Sequence, residues 1–244
     1  MGTLRAARVG GPSTWTLDTY MTEHEQFDRD LTECRRCAGE LGSFFVDPAK
    51  SSERVVPRPI VSGIRAKPIL LIGQAPGLSE YESGKPFQGQ AGQKIRKIFA
   101  ELGVNDFDRH VFSSAVVKCY AGRKFRRKDD PTSKCEDRAP TPQMIRNCLP
   151  FFERQIPLVD PKIIVTLGGS PLAAYLRASG QTGRKAELTS FVGTTERWNG
   201  RQVIFFPHTS GGSRWLNDLS NRELFERARR LVRDALLANS LARV

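Results

Sequence analysis

Long apolar runs are missing from this chain. No stretch of its 244 residues approaches the roughly 20 consecutive apolar positions that a membrane-spanning helix needs, and Met1 to Gly11 has no apolar core of the secretory-signal kind. A soluble, cytoplasmic protein without a membrane partner is therefore expected. Acidic residues are in deficit, 26 against 38 Lys and Arg, which leaves a net charge of +12. Such an excess either keeps the chain soluble or suits a polyanionic partner, of which nucleic acid is the commonest. Cysteines are few and odd in number, five, so in a reducing compartment they read as ligands plus a spare, not as a disulfide framework. Histidine is scarcer still, at positions 24, 110 and 208. Internal repeats and a linker to a second domain are also absent. The turn Gly73-Gln-Ala-Pro-Gly77 lacks the Gly-Lys-Ser/Thr ending that a phosphate-cradling P-loop requires.

What is present is a chain that is 39% hydrophobic and long enough to bury a substantial core. Residues 1–18, rich in Gly, Ser, Thr and Pro without periodicity, read as a flexible N-terminal arm, and 19–244 as a single domain. A helix is expected from Thr19 to Glu33, running into Cys34-Arg-Arg-Cys37, and 42–66 reads as loop with short extended pieces. Pro68-Ile-Leu-Leu-Ile72 is a buried strand that delivers the Gly73–Gly77 turn. The pattern then predicts a helix at 91–102, a strand at 111–117 and a helix at 141–157 broken near Pro150. Next come a strand at 162–167, a helix through Arg177, strands near 189–193 and 202–206, and a closing amphipathic helix. Strands alternating with helices imply a three-layer α/β/α sandwich around a central, mainly parallel four-stranded sheet, with ligands at the carboxyl ends of the strands. The segment 120–139, with Gly-Arg-Lys-Phe-Arg-Arg-Lys at its head, reads as an insertion forming an exposed, basic loop.

Cys34 and Cys37 form a C-x2-C pair, a spacing that lets two thiolates meet one metal centre. Cys119 at a strand end and Cys148 in a helix lie on elements expected to pack together. Four soft ligands suit either Zn²⁺ or a [4Fe–4S] cluster, and spacing does not choose between them.

Several segments, taken in order, resemble the iron–sulfur uracil-DNA glycosylases, usually numbered families 4 and 5. Cys34-Arg-Arg-Cys37 matches their first ligand pair, Ile72-Gly-Gln-Ala-Pro-Gly77 their first catalytic motif, and Ser83-Gly-Lys-Pro-Phe-Gln-Gly-Gln-Ala-Gly92 their Gly-x-Pro-Phe-x-Gly-x-Ala-Gly segment. Val116-Val-Lys-Cys119 is similar to the third-ligand strand, and Pro140-Thr-Pro142 with Asn147-Cys-Leu-Pro-Phe151 to the fourth-ligand helix. Lys162 to Gly168 resembles the strand ending in Leu-Gly, and His208-Thr-Ser210 stands where those enzymes carry His-Pro-Ser. The resemblance implies a monomeric DNA-binding hydrolase that excises uracil, or another deaminated or modified base. It implies a structural [4Fe–4S] cluster on Cys34, Cys37, Cys119 and Cys148, leaving Cys135 as a free thiol.

The resemblance also distributes roles. Gln74, Ala75, Phe87, Ala115 and His208 become the base-binding set, with Phe87 stacking on the base and His208 donating to a base carbonyl as the base leaves as an anion. Gln74, Glu80 and His208 become the catalytic candidates. Gln74 stands where family 4 carries an acid and Gln90 where family 5 carries its aspartate. An amide takes no proton, so Glu80 is the proposed water-activating or electrostatic group. Ala115 replaces a base-reading asparagine, which opens the pocket to bases other than uracil. Ser210, Arg214, Trp215 and Leu216 form the expected minor-groove loop and wedge, and Arg123, Lys124, Arg126, Arg127 and Lys128 the expected phosphate contacts. Two other readings stand beside this one: a sensor of damaged or modified DNA that has lost its catalytic carboxylate, and a zinc-containing nucleic-acid protein.

Overall fold

The computed structural model describes residues 21–127, 130–209 and 215–241. The first helix, α1 (Glu23–Thr32), starts where Thr22 and Glu25 form a reciprocal capping box, Glu25 N–H donating to Thr22 Oγ1 at 3.2 Å and Thr22 N–H to Glu25 Oε2 at 2.8 Å. A single turn, α2 (Ala38–Leu41), follows the C-x2-C pair. The expected loop at 42–66 carries isolated bridges at Phe45, Arg54 and Pro59.

The body is then laid down as β1 (Ile69–Gly73), α3 (Leu78–Ser83), α4 (Gln90–Glu101), α5 (Phe107–His110) and β2 (Val111–Ala115). A hairpin of β3 (Arg123–Phe125) and β4 (Cys135–Asp137) precedes the long helix α6 (Pro142–Val159). The chain continues through β5 (Ile163–Leu167), α7 (Gly169–Ala178), α8 (Leu188–Phe191), β6 (Thr195–Trp198), β7 (Arg201–Phe206) and α9 (Leu219–Ala238).

The main sheet runs in the order β2-β1-β5-β7-β6, parallel except for β6, which pairs antiparallel with β7. The three-layer sandwich is thus the observed fold, with a fifth strand added at one edge. Alternation along the strands sorts the core into two faces. Leu70, Ile72, Phe112, Ile164, Val203 and Phe205 pack against α1, α6 and α7, whereas Ile69, Leu71, Val111, Ile163, Val165, Ile204 and Phe206 pack against α4, α5 and α9. Because both faces are covered, β1 and β5 are buried at every residue, which is why they read as unbroken apolar runs.

Three local expectations are corrected. Helix α6 runs through Pro150 and Pro157 without a break. Pro150 is exposed while Cys148, Leu149, Phe151 and Phe152 are buried, so packing of the apolar face offsets the backbone bond each proline removes. Residues 189–193 hold the one-turn helix α8 and not a strand, the strand arriving later as β6, since a short apolar run carries no reliable period. The basic insertion folds as the β3–β4 hairpin, docked on the body where Arg123 bridges to Phe45.

Candidate active site

A cleft of about 810 Å³ opens at the carboxyl ends of the parallel strands, where Gly73, Ala115, Leu167 and His208 all reach its wall. In the sheet order β1 has β2 on one side and β5 on the other, so the cleft lies at the point where chain connections diverge. The turn after β1 is pinned as an extension of the sheet: Val116 N–H donates to Gly73 O at 2.9 Å and Val117 N–H to Gln74 O at 3.0 Å. Gln74 and Ala75 therefore line the cleft on a fixed backbone.

Phe87 is held unusually. Its φ is +54°, a left-handed conformation that costs an L-residue with a bulky side chain energy, and such strain persists only where surroundings over-determine it. Two glycines do so. A Cβ at Gly73 would meet the tip of the Phe87 ring at 3.2 Å, and one at Gly92 would overlap Phe87 O, so the ring end lies against β1 and the Phe87 backbone against α4. Glu80 supplies the third constraint: Gly77 N–H donates to its Oε2 at 2.9 Å, and Gln88 and Gly89 N–H both donate to its Oε1 at 2.8 Å. The Glu80 carboxylate thus clamps the Gly73–Gly77 turn to the Phe87 segment, a positioning role that commits most of its acceptor capacity to backbone.

His208 reaches the cleft from the turn after β7. Gly168, at φ +90°, makes room for it, since a Cβ there would stand 3.3 Å from His208 Cβ. Thr209 Oγ1 donates to Ala91 O at 3.1 Å and ties this turn to the start of α4. Burial holds the imidazole pKa below its ordinary value, so the ring is neutral at physiological pH and able to donate one hydrogen bond. His24, by contrast, contacts Leu158 O at 3.0 Å, away from the cleft.

The four assigned cysteines lie in one neighbourhood of the fold, beside the cleft residues Ala75 and Leu78. Cys37, Cys119 and Cys148 share an apolar cluster with Leu41, Val46, Val55, Tyr120 and Met144, while Cys34 sits at its border with the sheet core. Burial raises the thiol pKa values of Cys37, Cys119 and Cys148, that of Cys119 to about 12, and the neighbouring cysteines add to each rise. Four thiols gathered in an apolar lobe are a soft donor set suited to iron–sulfur ligation. Among the described residues no three metal-binding side chains converge as a single-ion site requires. Cys135 lines the cleft on β4 instead. Asn147 Nδ2 donates to Cys37 Sγ at 3.3 Å, which links α6 to the first cysteine pair.

The hairpin forms one rim of the cleft, and its cations are heavily paired. Arg123 bridges Asp47 at 2.8 Å and Asp137 at 3.3 Å, Lys124 and Arg126 reach Glu136 at 3.4 and 3.3 Å, and Arg127 reaches Asp130 at 2.9 Å. Arg123 is three-quarters buried along its side chain, so it braces the hairpin. Lys124, Arg126 and Arg127 are exposed. Beyond the cleft, Trp215 and Leu216 form a short turn that Asn221 and Arg222 hold by donating to their carbonyls at 2.9 and 2.7 Å, with Trp215 packed on the α9 side of the core. Lys128, Ser210 and Arg214, and the arm at 1–18, lie outside the described residues.

Sequence reasoning passed over two groups here. Asp137 lies in the cleft wall beside Gly77, although nothing in Cys135-Glu-Asp-Arg138 marks it apart from its place just before the fourth-ligand helix. Lys118 is fully buried and donates to Ser114 Oγ at 2.7 Å, Ala115 O at 2.5 Å and Gln155 Oε1 at 2.9 Å. Burial lowers its pKa to about 7. A lysine inside a strand-end apolar stretch was the available signal.

An α/β sandwich with a strand-end cleft, a fixed glycine turn and a facing histidine defines a class of ligand-binding α/β proteins. The family model described as the uracil DNA glycosylase superfamily matches residues 62–233, and the chain belongs to that superfamily. It is similar to the type-4 uracil-DNA glycosylase of Pyrobaculum aerophilum, 32% identical over 117 residues, or 48% of this chain and 52% of the relative. The type-4 enzyme of Thermotoga maritima is 30% identical over 143 residues, covering 58% and 64%. That of Saccharolobus solfataricus is 30% identical over 171 residues, covering 69% and 71%. The chain thus spans about half the length of the first of these relatives and under two thirds of the second.

Proposed function

We propose that the chain is a DNA glycosylase that extrudes uracil, or another deaminated or modified base, and hydrolyses its N-glycosidic bond to leave an abasic site. The observation that carries this reading is that the Gly73–Gly77 turn, Phe87 and His208 face one cleft. Flipping costs a few kcal/mol in stacking and pairing. Phe87 offsets part of this by stacking, worth about 1–3 kcal/mol per base. Gln74, Ala75 and Ala115 shape the pocket around the base edge, and the neutral His208 donates to a base carbonyl where negative charge develops.

On this reading Trp215 and Leu216, with Ser210 and Arg214, enter the gap left by the base, and Lys124, Arg126, Arg127 and Lys128 contact phosphates. Cys34, Cys37, Cys119 and Cys148 hold a [4Fe–4S] cluster whose contribution is to cross-link the lobe; no redox step is assigned to it. Residues 19–244 act as one domain and the protein as a cytoplasmic monomer. A second reading, a glycosylase-like sensor without turnover, is favoured by the amides Gln74 and Gln90 at positions where carboxylates are expected.

One assay separates them. Purified protein is incubated with single- and double-stranded oligonucleotides bearing uracil, hypoxanthine, xanthine or modified cytosine, and alkali-labile breaks are counted. Cleavage at uracil is the expected result; binding without breaks on every base would establish the sensor.

A further inference from the structure

The cleft needs a carboxylate that the motif positions do not provide. With amides at 74 and 90, the carboxylates in its wall among the described residues are Glu80, Glu136 and Asp137. Glu80 is held by three backbone N–H groups, and Glu136 is shared between Lys124 and Arg126. Asp137 accepts the Leu78 backbone N–H and faces Arg123 Nε at 3.3 Å. A carboxylate offers about four acceptor sites, so Asp137 keeps capacity for a water.

Resting on the glycosylase reading above, we propose that Asp137, delivered by the β3–β4 hairpin and not by the first catalytic motif, is the water-activating carboxylate of this cleft. Its Oδ2 lies so near the Gly73–Gly77 turn that a Cβ at Gly77 would stand 2.6 Å from it. Glycine at that position is what allows the carboxylate to close on the turn, because the Gly77 backbone itself (φ −93°, ψ −173°) is open to any residue. In the step assigned to it, the C1′–N bond breaks and its electron pair leaves with the base, whose charge His208 stabilises. A water oxygen bonds to C1′, and the water proton passes to the Asp137 carboxylate and on to solvent. The base anion takes up a proton from solvent, and the products are the abasic sugar and the free base, so water is the only co-reactant.

The surroundings suit a base. Burial raises the Asp137 pKa above the ordinary aspartate value, with Arg123 opposing and Glu80 and Asp47 adding to the rise; Tyr120 also faces it. A carboxylate so raised takes a proton more readily than an ordinary one.

The test is single-turnover excision on a uracil oligonucleotide as a function of pH, with wild type, Asp137→Asn, Gly77→Ala and His208→Ala. Expected are a loss of about 10²-fold or more in Asp137→Asn with abasic-DNA affinity and melting temperature kept. Gly77→Ala, whose methyl group would press on Asp137 Oδ2 and also on Glu80 Oε2 at 3.0 Å, should lose rate in the same direction. The wild-type rate should fall on acidification through an inflection above the usual aspartate range, absent in Asp137→Asn and retained at lower amplitude in His208→Ala. An Asp137→Asn protein within a few-fold of wild type, with the inflection intact, overturns the proposal and leaves the glycosylase reading standing. Should Asp137→Asn not fold, a wild-type profile without that inflection, or an unaffected Gly77→Ala, overturns it equally. A wild type that cuts no base overturns both.

Discussion

His208 is where burial, charge and chemistry meet most directly. Its imidazole pKa is depressed by desolvation, so the folded state favours the neutral ring. The sign follows: between the folded pKa and the unfolded value of about 6.5 the unfolded chain binds more protons, so stability is full above about pH 6.5 and declines as pH falls through the folded pKa. Thermal melts of wild type and His208→Gln between pH 7.5 and 5, a range set by roughly the ordinary imidazole titration, should show a smaller acid-side loss in the variant. The same ring as a preorganised donor predicts that His208→Ala lowers single-turnover excision by about 10²–10³-fold with abasic-DNA affinity retained. Phe87 makes a different prediction because its backbone is strained. Gly92→Ala would drive a methyl group into Phe87 O, so the ring must leave its place on Gly73. Reduced uracil excision together with a lower melting temperature is expected, and a melting temperature equal to wild type would show that α4 yields cheaply.

At the scale of elements, the hairpin shows how far charge in a sequence can be read. Five cations were visible between 123 and 128, but their partners were not, because Asp47 is distant in the chain and Glu136 and Asp137 face them only once β3 and β4 pair. Arg123 consequently braces the fold, while Lys124, Arg126 and Arg127 sit in exposed pairs, which contribute little and exchange readily for phosphate. Neutralising those three should flatten the log–log salt dependence of DNA binding by about 0.9 for each phosphate they neutralise, whereas Arg123→Gln should lower the melting temperature with less change of slope. Equal slopes for the triple variant and wild type would leave the hairpin without a role in DNA binding. The parallel strands were legible because burial on both faces leaves no polar register to confuse the pattern, as in Ile69–Gly73. Residues 189–193 and Pro150 were not, since tertiary packing outweighs local propensity there. Likewise the strand-end turns could be located from sequence, but the Glu80 clamp could not, because its three donors lie at positions 77, 88 and 89 and meet only in the fold.

For the molecule as a whole, the question is what keeps the N-terminal segment on the sheet. α1 packs on α6 through contacts such as Phe27 on Phe151, with ring centroids 5.9 Å apart and nearly perpendicular, and Arg154 pairs with Asp30 at 2.8 Å. Between α1 and β1 lies a long stretch with one short helix and no strand of the main sheet, and Cys34 and Cys37 stand at its start, near Cys119 and Cys148. A shared centre there closes loops of several tens of residues, and a covalent link of that span contributes about 4 kcal/mol in the chain-entropy account. For a chain of this size each kcal/mol moves the midpoint by about 2–4 °C. Protein purified without oxygen should therefore be brown, contain iron and acid-labile sulfide in equal amounts, and melt roughly 10 °C above the chelated, bleached form. Cys148→Ser should behave like the bleached protein, whereas Cys135→Ser, on the hairpin and outside the lobe, should not. If the bleached and brown forms melt together, the four thiols do not bridge the lobe to the sheet, and the α1–α6 contacts must hold the N-terminal segment by themselves.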